Sequence, residues 1–254
     1  MAHLLYDSEY LFGIKHSDPV DIYHLTIGDK DLLENLSAIE WMISKRPNIH
    51  EFYRIAARFG NLYCLQYLHN KGCSWNIETC WEAARNGHLD CLKYVHENSC
   101  EWDRDTCWAA AMNGHLDCLV YAHERGCPWD VRTCIFAAAN GHLDCLRYAH
   151  ENGCPRNWRI CETAARYGHL DCLIYAHENG CPWNWRTCEA AAENGHLDCL
   201  IYAHENGCSW NRWTCWAAAE NGHLDCLIYA HENGCECHVM KIVSLSTREV
   251  EMVQ

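Results

Sequence analysis

Thr187–Cys208 reads TCEAAAENGHLDCLIYAHENGC, and its inner segment, Gly195-His196-Leu197-Asp198-Cys199-Leu200, returns at a constant interval. The same six letters begin at Gly87, Gly114, Gly141, Gly168, Gly195 and Gly222, a step of 27 residues without insertion. A divergent copy, Gly60-Asn61-Leu62-Tyr63-Cys64-Leu65, precedes them, and Asn35–Pro47 (NLSAIEWMISKRP) aligns more weakly with the segment from Asn61. A fixed period of this kind marks an array of small structural units.

One unit, Cys181 to Gly207, shows how the period folds. Asn184 occupies a helix N-cap slot that holds Asn76, Asp103, Asp130, Asn157 and Asn211 in the other units, all good capping residues. Cys188, Ala191 and Ala192 follow at i, i+3, i+4 and give a short helix with a narrow apolar face. Asn194-Gly195 ends it, the glycine supplying a left-handed C′ residue. A second helix is expected from about His196 to Glu205, with Leu197, Cys199, Leu200, Ala203 and His204 on one side and Asp198 suiting the dipole of its first turn. Asn206-Gly207 stops it. Neither helix can bury its apolar face alone, so the fold class is all-α: an α-solenoid of stacked helix–turn–helix units. The boundaries expected are 1–45 for an N-terminal segment with a degenerate capping half-repeat, 46–234 for seven repeats, and 235–254 for a C-terminal capping helix.

Bulk properties narrow the partners. The formal charge of -14 disfavours nucleic acid and anionic membrane surfaces, which call for basic patches. No segment has the ~20 apolar residues of a membrane span, and the start, MAHLLYDSEYLFGIKH, lacks the basic and apolar regions of a secretory signal. Twenty-one cysteines without an export signal point to free thiols in a reducing compartment, the cytoplasm, rather than to a disulfide framework.

The segment AAENGHLDCLIYAHENGC with its flanking Trp and Asn resembles the ankyrin consensus from the alanine pair to the final asparagine. It is most similar to the Cys- and Trp-rich ankyrin-like repeats of giant amoeba-infecting DNA viruses, over roughly residues 46–235. The resemblance implies a non-enzymatic interaction scaffold, with first helices lining a concave face, and for a viral protein a role against host pathways in the host cytoplasm. Recruitment of a ubiquitin ligase and a place in the virion belong to the same range; the first 34 residues show no F-box-like pattern. Ankyrin units run ~33 residues against 27 here, and the missing residues are those of the β-hairpin finger. The resemblance also puts Trp75, Trp102, Trp129, Trp183 and Trp210 in a valine-like core slot. Arg156 interrupts that column, which makes it a local weak point or a contact.

Each unit carries three cysteines and two histidines, and His-x2-Cys on a helix is a spacing that zinc could use. No unit has the Cys-x2-Cys bracket usual for zinc, and free cysteine behaves as a small buried hydrophobe. The reading adopted is a packing ladder with no cofactor and no metal; a zinc-dependent fold is the alternative. Cys235-Glu236-Cys237-His238 holds the closest cysteine pair. No catalytic set stands out from the repeat background, and there is no P-loop, so no enzyme is expected.

Partner contacts are expected where units differ from one another. In the first helix these positions fall at i, i+4, i+8, a single stripe: Ile77/Trp81/Arg85, Arg104/Trp108/Met112, Val131/Ile135/Ala139, Trp158/Glu162/Arg166, Trp185/Glu189/Glu193 and Arg212/Trp216/Glu220. Beside it run Glu78, Asp105, Arg132, Arg159, Arg186 and Trp213. Tryptophan and arginine are the residues enriched in binding hot spots. The expected partner-binding set is therefore Trp81, Arg85, Arg104, Trp108, Met112, Arg132, Ile135, Trp158, Arg159, Arg166, Trp185, Arg186, Glu189, Arg212, Trp213 and Trp216, facing a protein whose identity the sequence does not name. The oligomeric state is equally open. On the second helix the drifting exposed position reads Lys93, Val120, Arg147, Ile174, Ile201 and Ile228, the three isoleucines forming an apolar ridge suited to a second interface or a dimer contact.

Overall fold

Short polar side chains start the first helices by accepting backbone amides. In the computed structural model, which describes residues 49–72 and 74–236, seven pairs of α-helices follow one another with no strand among the described residues. The first helices are α1 (Ile49–Arg58), α3 (Ile77–Arg85), α5 (Arg104–Met112), α7 (Val131–Ala139), α9 (Trp158–Arg166), α11 (Trp185–Glu193) and α13 (Arg212–Glu220). The second helices are α2 (Leu62–Asn70), α4 (Leu89–Glu97), α6 (Leu116–Glu124), α8 (Leu143–Glu151), α10 (Leu170–Glu178), α12 (Leu197–Glu205) and α14 (Leu224–Glu232). The N-terminal segment 1–45 and, apart from Cys235 and Glu236, the capping helix 235–254 lie outside the described residues.

Asp103, Asp130, Asn157, Asn184 and Asn211 each accept the amide two residues on, at 2.8–2.9 Å. Asn76 is the exception; its side chain caps no amide of α3. The second helices start one residue later than expected, with His196 at the cap position of α12. At the C-terminal ends, asparagine folds back on its own helix, as Asn194 Nδ2 does to Ala190 O at 2.9 Å and Asn206 Nδ2 to Tyr202 O at 2.8 Å. Helices of nine residues are too short to persist alone in water. Packing between units therefore carries them.

The core is written in alanine, cysteine and leucine. Ala190, Ala191 and Ala192 of α11 and Leu200 and Ala203 of α12 are fully buried, and the counterparts of Ala191, Leu200 and Ala203 are buried along the stack. Small side chains let neighbouring first helices approach closely, whereas successive second helices touch far less. Cysteine fills three columns. Cys80, Cys107, Cys134, Cys161 and Cys188 lie in first helices, Cys64 to Cys226 in second helices, and Cys100, Cys127, Cys154, Cys181, Cys208 and Cys235 in the loops between units, all buried and free. Among the described residues Cys215 alone is disulfide-bonded, which corrects the all-free reading at that position. Each loop thiol has a partner: Cys127 Sγ donates to Asp103 O at 3.1 Å and Cys208 Sγ to Asn184 O at 3.2 Å, tying the end of a unit to the cap of its first helix.

Gly-His pairs join unit to unit. His88 Nε2 lies 3.1 Å from Arg58 O in the unit before, and His196 faces the backbone of Arg166 in the same way. The imidazole reaches that far because the glycine one unit back has no side chain. A Cβ on Gly168 would come within 2.6 Å of His196 Nδ1, and Gly168 also has φ +74°. Consecutive Gly-His-Leu motifs thus require one another.

The tryptophans of the loops are not core. Trp75, Trp102, Trp129, Trp183 and Trp210 are all half-buried, which corrects the expectation from the valine-like slot. An indole is too large for that slot and lies across its mouth. Trp210 stacks on His204 with centroids 3.7 Å apart and planes within 9°, and its edge meets Tyr229 of the next unit at 6.1 Å. His204 Nδ1 bonds the same Tyr229 hydroxyl at 3.1 Å. The ring stack repeats with Trp102, Trp129 and Trp183, and the His–Tyr hydrogen bond with His123 and His177. Where Arg156 replaces tryptophan, its Nε donates to His150 Nε2 at 2.7 Å. That nitrogen must then be unprotonated, so His150 carries its proton on Nδ1 and donates to the Tyr175 hydroxyl at 3.2 Å. Burial first, and the Arg156 charge after it, hold His150 below the usual histidine range, in keeping with a neutral ring. Arg156 is a contact.

Candidate protein-binding face

The i, i+4, i+8 stripe lies on the side of each first helix opposite its buried alanines and cysteine. Every residue of the expected partner-binding set is half-buried or exposed. The structure gathers its aromatic members into three groups.

The first group spans three units. The rings of Trp81 and Trp108 meet edge-on at 6.3 Å, and Trp108 packs on Phe136 at 5.1 Å. Arg85 lies over Trp81 at 5.0 Å and Arg132 over Trp108 at 5.9 Å. Asp105 fixes this arrangement, accepting from Trp108 Nε1 at 2.7 Å and pairing with Arg132 at 3.0 Å. Asp130 holds Arg104 at 3.3 Å and Arg132 at 3.2 Å. Met112 and Ile135 are half-buried on the same helices. Phe136 was missed because stripe spacing selects Ile135. Its signal was available: the position reads Glu82, Ala109, Phe136, Thr163, Ala190 and Ala217, so it drifts from unit to unit.

The second group is built around Arg186, whose guanidinium lies 5.5 Å from the Trp158 ring and 5.4 Å from that of Trp185. Arg159 approaches Trp158 at 5.9 Å. Below them Arg166 bridges Glu162 at 3.3 Å and Glu193 at 2.8 Å. Burial, and after it the neighbouring Glu193 carboxylate, hold Glu189 above the usual carboxylate range. The third group is the most open: Trp213 is 43% exposed, Trp216 46%, and the two rings meet at right angles 5.7 Å apart with Arg212 over Trp213 at 5.1 Å. No ring contact among the described residues joins one group to the next. Exposed cation–π contacts are worth ~0.5–1 kcal/mol each; they orient indoles that remain accessible.

Comparison with known proteins fits this geometry. A family model described as ankyrin repeats (many copies) matches residues 107–150. The ankyrin repeat domain of human ASB11 superposes with a TM-score of 0.54 at 20% identity, covering 62% of this chain and 84% of that one. The fold is that of an ankyrin-repeat solenoid. No curated protein matches by sequence. Ankyrin repeats are generally protein–protein interaction scaffolds and typically non-enzymatic. No described helix of this solenoid is long and apolar enough to cross a membrane.

The cysteine and histidine ladder is occupied by packing and hydrogen bonds. Among the described residues no group of three or more His, Cys, Asp or Glu side chains is placed to hold a metal ion. Burial, with the neighbouring aspartate after it, pushes the thiols of Cys91, Cys145 and Cys172 up to about 12, which keeps them protonated at neutral pH. Cys235 Sγ donates to Asn211 O at 3.2 Å; Cys237 and His238, its companions in the sequence, lie outside the described residues.

Proposed function

We propose that this ankyrin-repeat solenoid is a non-enzymatic scaffold that binds a partner protein along the first-helix face, with the three Trp/Arg groups as anchors. One observation carries the reading: the alanines, cysteines and leucines that are constant between units are mostly buried, whereas the drifting first-helix positions place tryptophan and arginine at the surface. Six tryptophans on one face (Trp81, Trp108, Trp158, Trp185, Trp213, Trp216) are costly to leave in water unless a partner covers them. The free, buried thiols suit a reducing compartment, and the resemblance to giant-virus repeats would place the protein in host cytoplasm.

The test is affinity capture from a cell lysate with the wild-type chain and a Trp81→Ala/Trp108→Ala/Trp185→Ala variant whose helicity is verified by circular dichroism. Truncating a hot spot costs at least about 2 kcal/mol, about 30-fold in Kd, so partners held by the wild type should be lost from the variant. Retention of every partner by the variant would rule the first-helix face out.

A further inference from the structure

The second helices carry a different surface. In α10, α12 and α14 the sequence is Leu-Asp-Cys-Leu-Ile-Tyr-Ala-His-Glu each time. Asp171, Ile174 and Glu178 fall at i, i+3 and i+7, which is one helix face, and so do Asp198, Ile201, Glu205 and Asp225, Ile228, Glu232. The six carboxylate residues are all exposed. None is in an ion pair among the described residues. The isoleucines are half-buried or exposed, Ile228 at 39%. In α4 and α8 the central position holds Lys93 and Arg147 instead, which lie over Tyr121 and Tyr175 of the following unit. The last three units therefore present an apolar ridge between two acidic rows, with no cation on their second helices.

The dimensions point to one kind of occupant. Seven residues at 1.5 Å separate the aspartate row from the glutamate row by about 10 Å, the diameter of an α-helix. Neighbouring helices stand about 10 Å apart, so the ridge runs about 20 Å from Ile174 to Ile228. A helix covers that length in about 14 residues, two heptads. We propose that the second-helix face of the last three units docks a basic amphipathic helix of a partner protein. Its apolar residues, seven apart, sit on Ile174, Ile201 and Ile228, and its lysines or arginines on both flanks meet Asp171, Asp198 and Asp225 on one side and Glu178, Glu205 and Glu232 on the other. A second copy of this chain would set like-charged rows against each other, and anionic lipid would be repelled.

The surface is independent of the first-helix face, and its test keeps the two apart. The probe is a fluorescently labelled synthetic helix of about 18 residues with leucine at every seventh position and lysine on both flanks, titrated by anisotropy against the full chain. Binding should weaken severalfold between about 50 and 200 mM salt, as expected for charge pairing at an open surface. It should fall at least about tenfold in an Ile174→Arg/Ile201→Arg/Ile228→Arg variant and stay unchanged in the Trp81→Ala/Trp108→Ala/Trp185→Ala variant. Arginine and lysine stand at this position in folded units of the same chain, so the variant should fold, which circular dichroism checks. The proposal is overturned if the arginine variant binds the peptide as well as the wild type, if a peptide of the same composition with its heptad scrambled binds equally, or if the ridge proves to be covered by a second copy in a dimer that the arginine variant abolishes.

Discussion

Between pH 9 and pH 11 this protein should unfold at room temperature. Cys91, Cys118, Cys145, Cys172 and Cys199 form a column in the second helices, each at most 1% exposed, and burial pushes every one of them up to about 12. In the unfolded chain a thiol titrates near about 8.5. The folded value is the higher one, so the stability each thiol contributes is complete below the unfolded value and is lost as pH climbs toward the folded value. Each loses about 1.4 kcal/mol per pH unit in that window, and five together lose about 7. Native domains are stable by about 5–15 kcal/mol, so two units of pH exceed what most folds hold. Helicity followed against pH should collapse steeply and recover on prompt return to pH 7 under reducing conditions. A Cys172→Ala variant should reduce the steepness of the pH dependence by one thiol's share, about 1.4 kcal/mol per pH unit. Helicity that persists to pH 11 would contradict the burial of this column.

The second large effect separates two glycines of nearly equal backbone geometry. Gly153 has φ +89° with nothing within 4 Å of a Cβ built on it, whereas Gly168 has φ +74° and meets the His196 ring at 2.6 Å. Alanine at Gly153 should cost only the left-handed conformation, about 1–2 kcal/mol. Alanine at Gly168 should cost that and also push the His196 ring out of its place between the units, another ~1–2 kcal/mol or more. Urea denaturation of Gly168→Ala and Gly153→Ala should show the former less stable by at least about 1 kcal/mol. Equal losses would mean that the imidazole makes way freely and that the Gly-His pairing does not join the units.

The architecture was legible because a solenoid repeats its instructions. Caps at Asn184 and Asp130, the turn at Asn194-Gly195 and the buried alanine pair recur every 27 residues, so each copy corroborates the others. Depth was harder to read. Trp183 and Trp210 hold a position whose counterpart in the resembling repeats is small and buried, but position in a register does not specify how far a bulky ring can enter. The indoles lie on His177 and His204 at the rim instead. The drifting stripe was recognisable as a stripe, yet Phe136 escaped because periodicity selects one residue per turn while the surface includes its neighbours. Arg156 was visible as an interruption. Its hydrogen bond to His150 depends on distances that a sequence does not contain.

The central claim is that protonated thiols, together with imidazoles, occupy the space between neighbouring helix pairs as hydrogen-bonded packing groups. The Raman S–H stretching band of protein purified without chelator, recorded at pH 7, tests it most directly. The account predicts a strong band in the native state with a component shifted by hydrogen bonding, from loop thiols such as Cys127 and Cys208 that donate to carbonyls, and no change when a metal chelator is added. A native protein whose S–H band is absent and appears only after chelation would show the sulfurs to be metal-bound thiolates and would contradict the account.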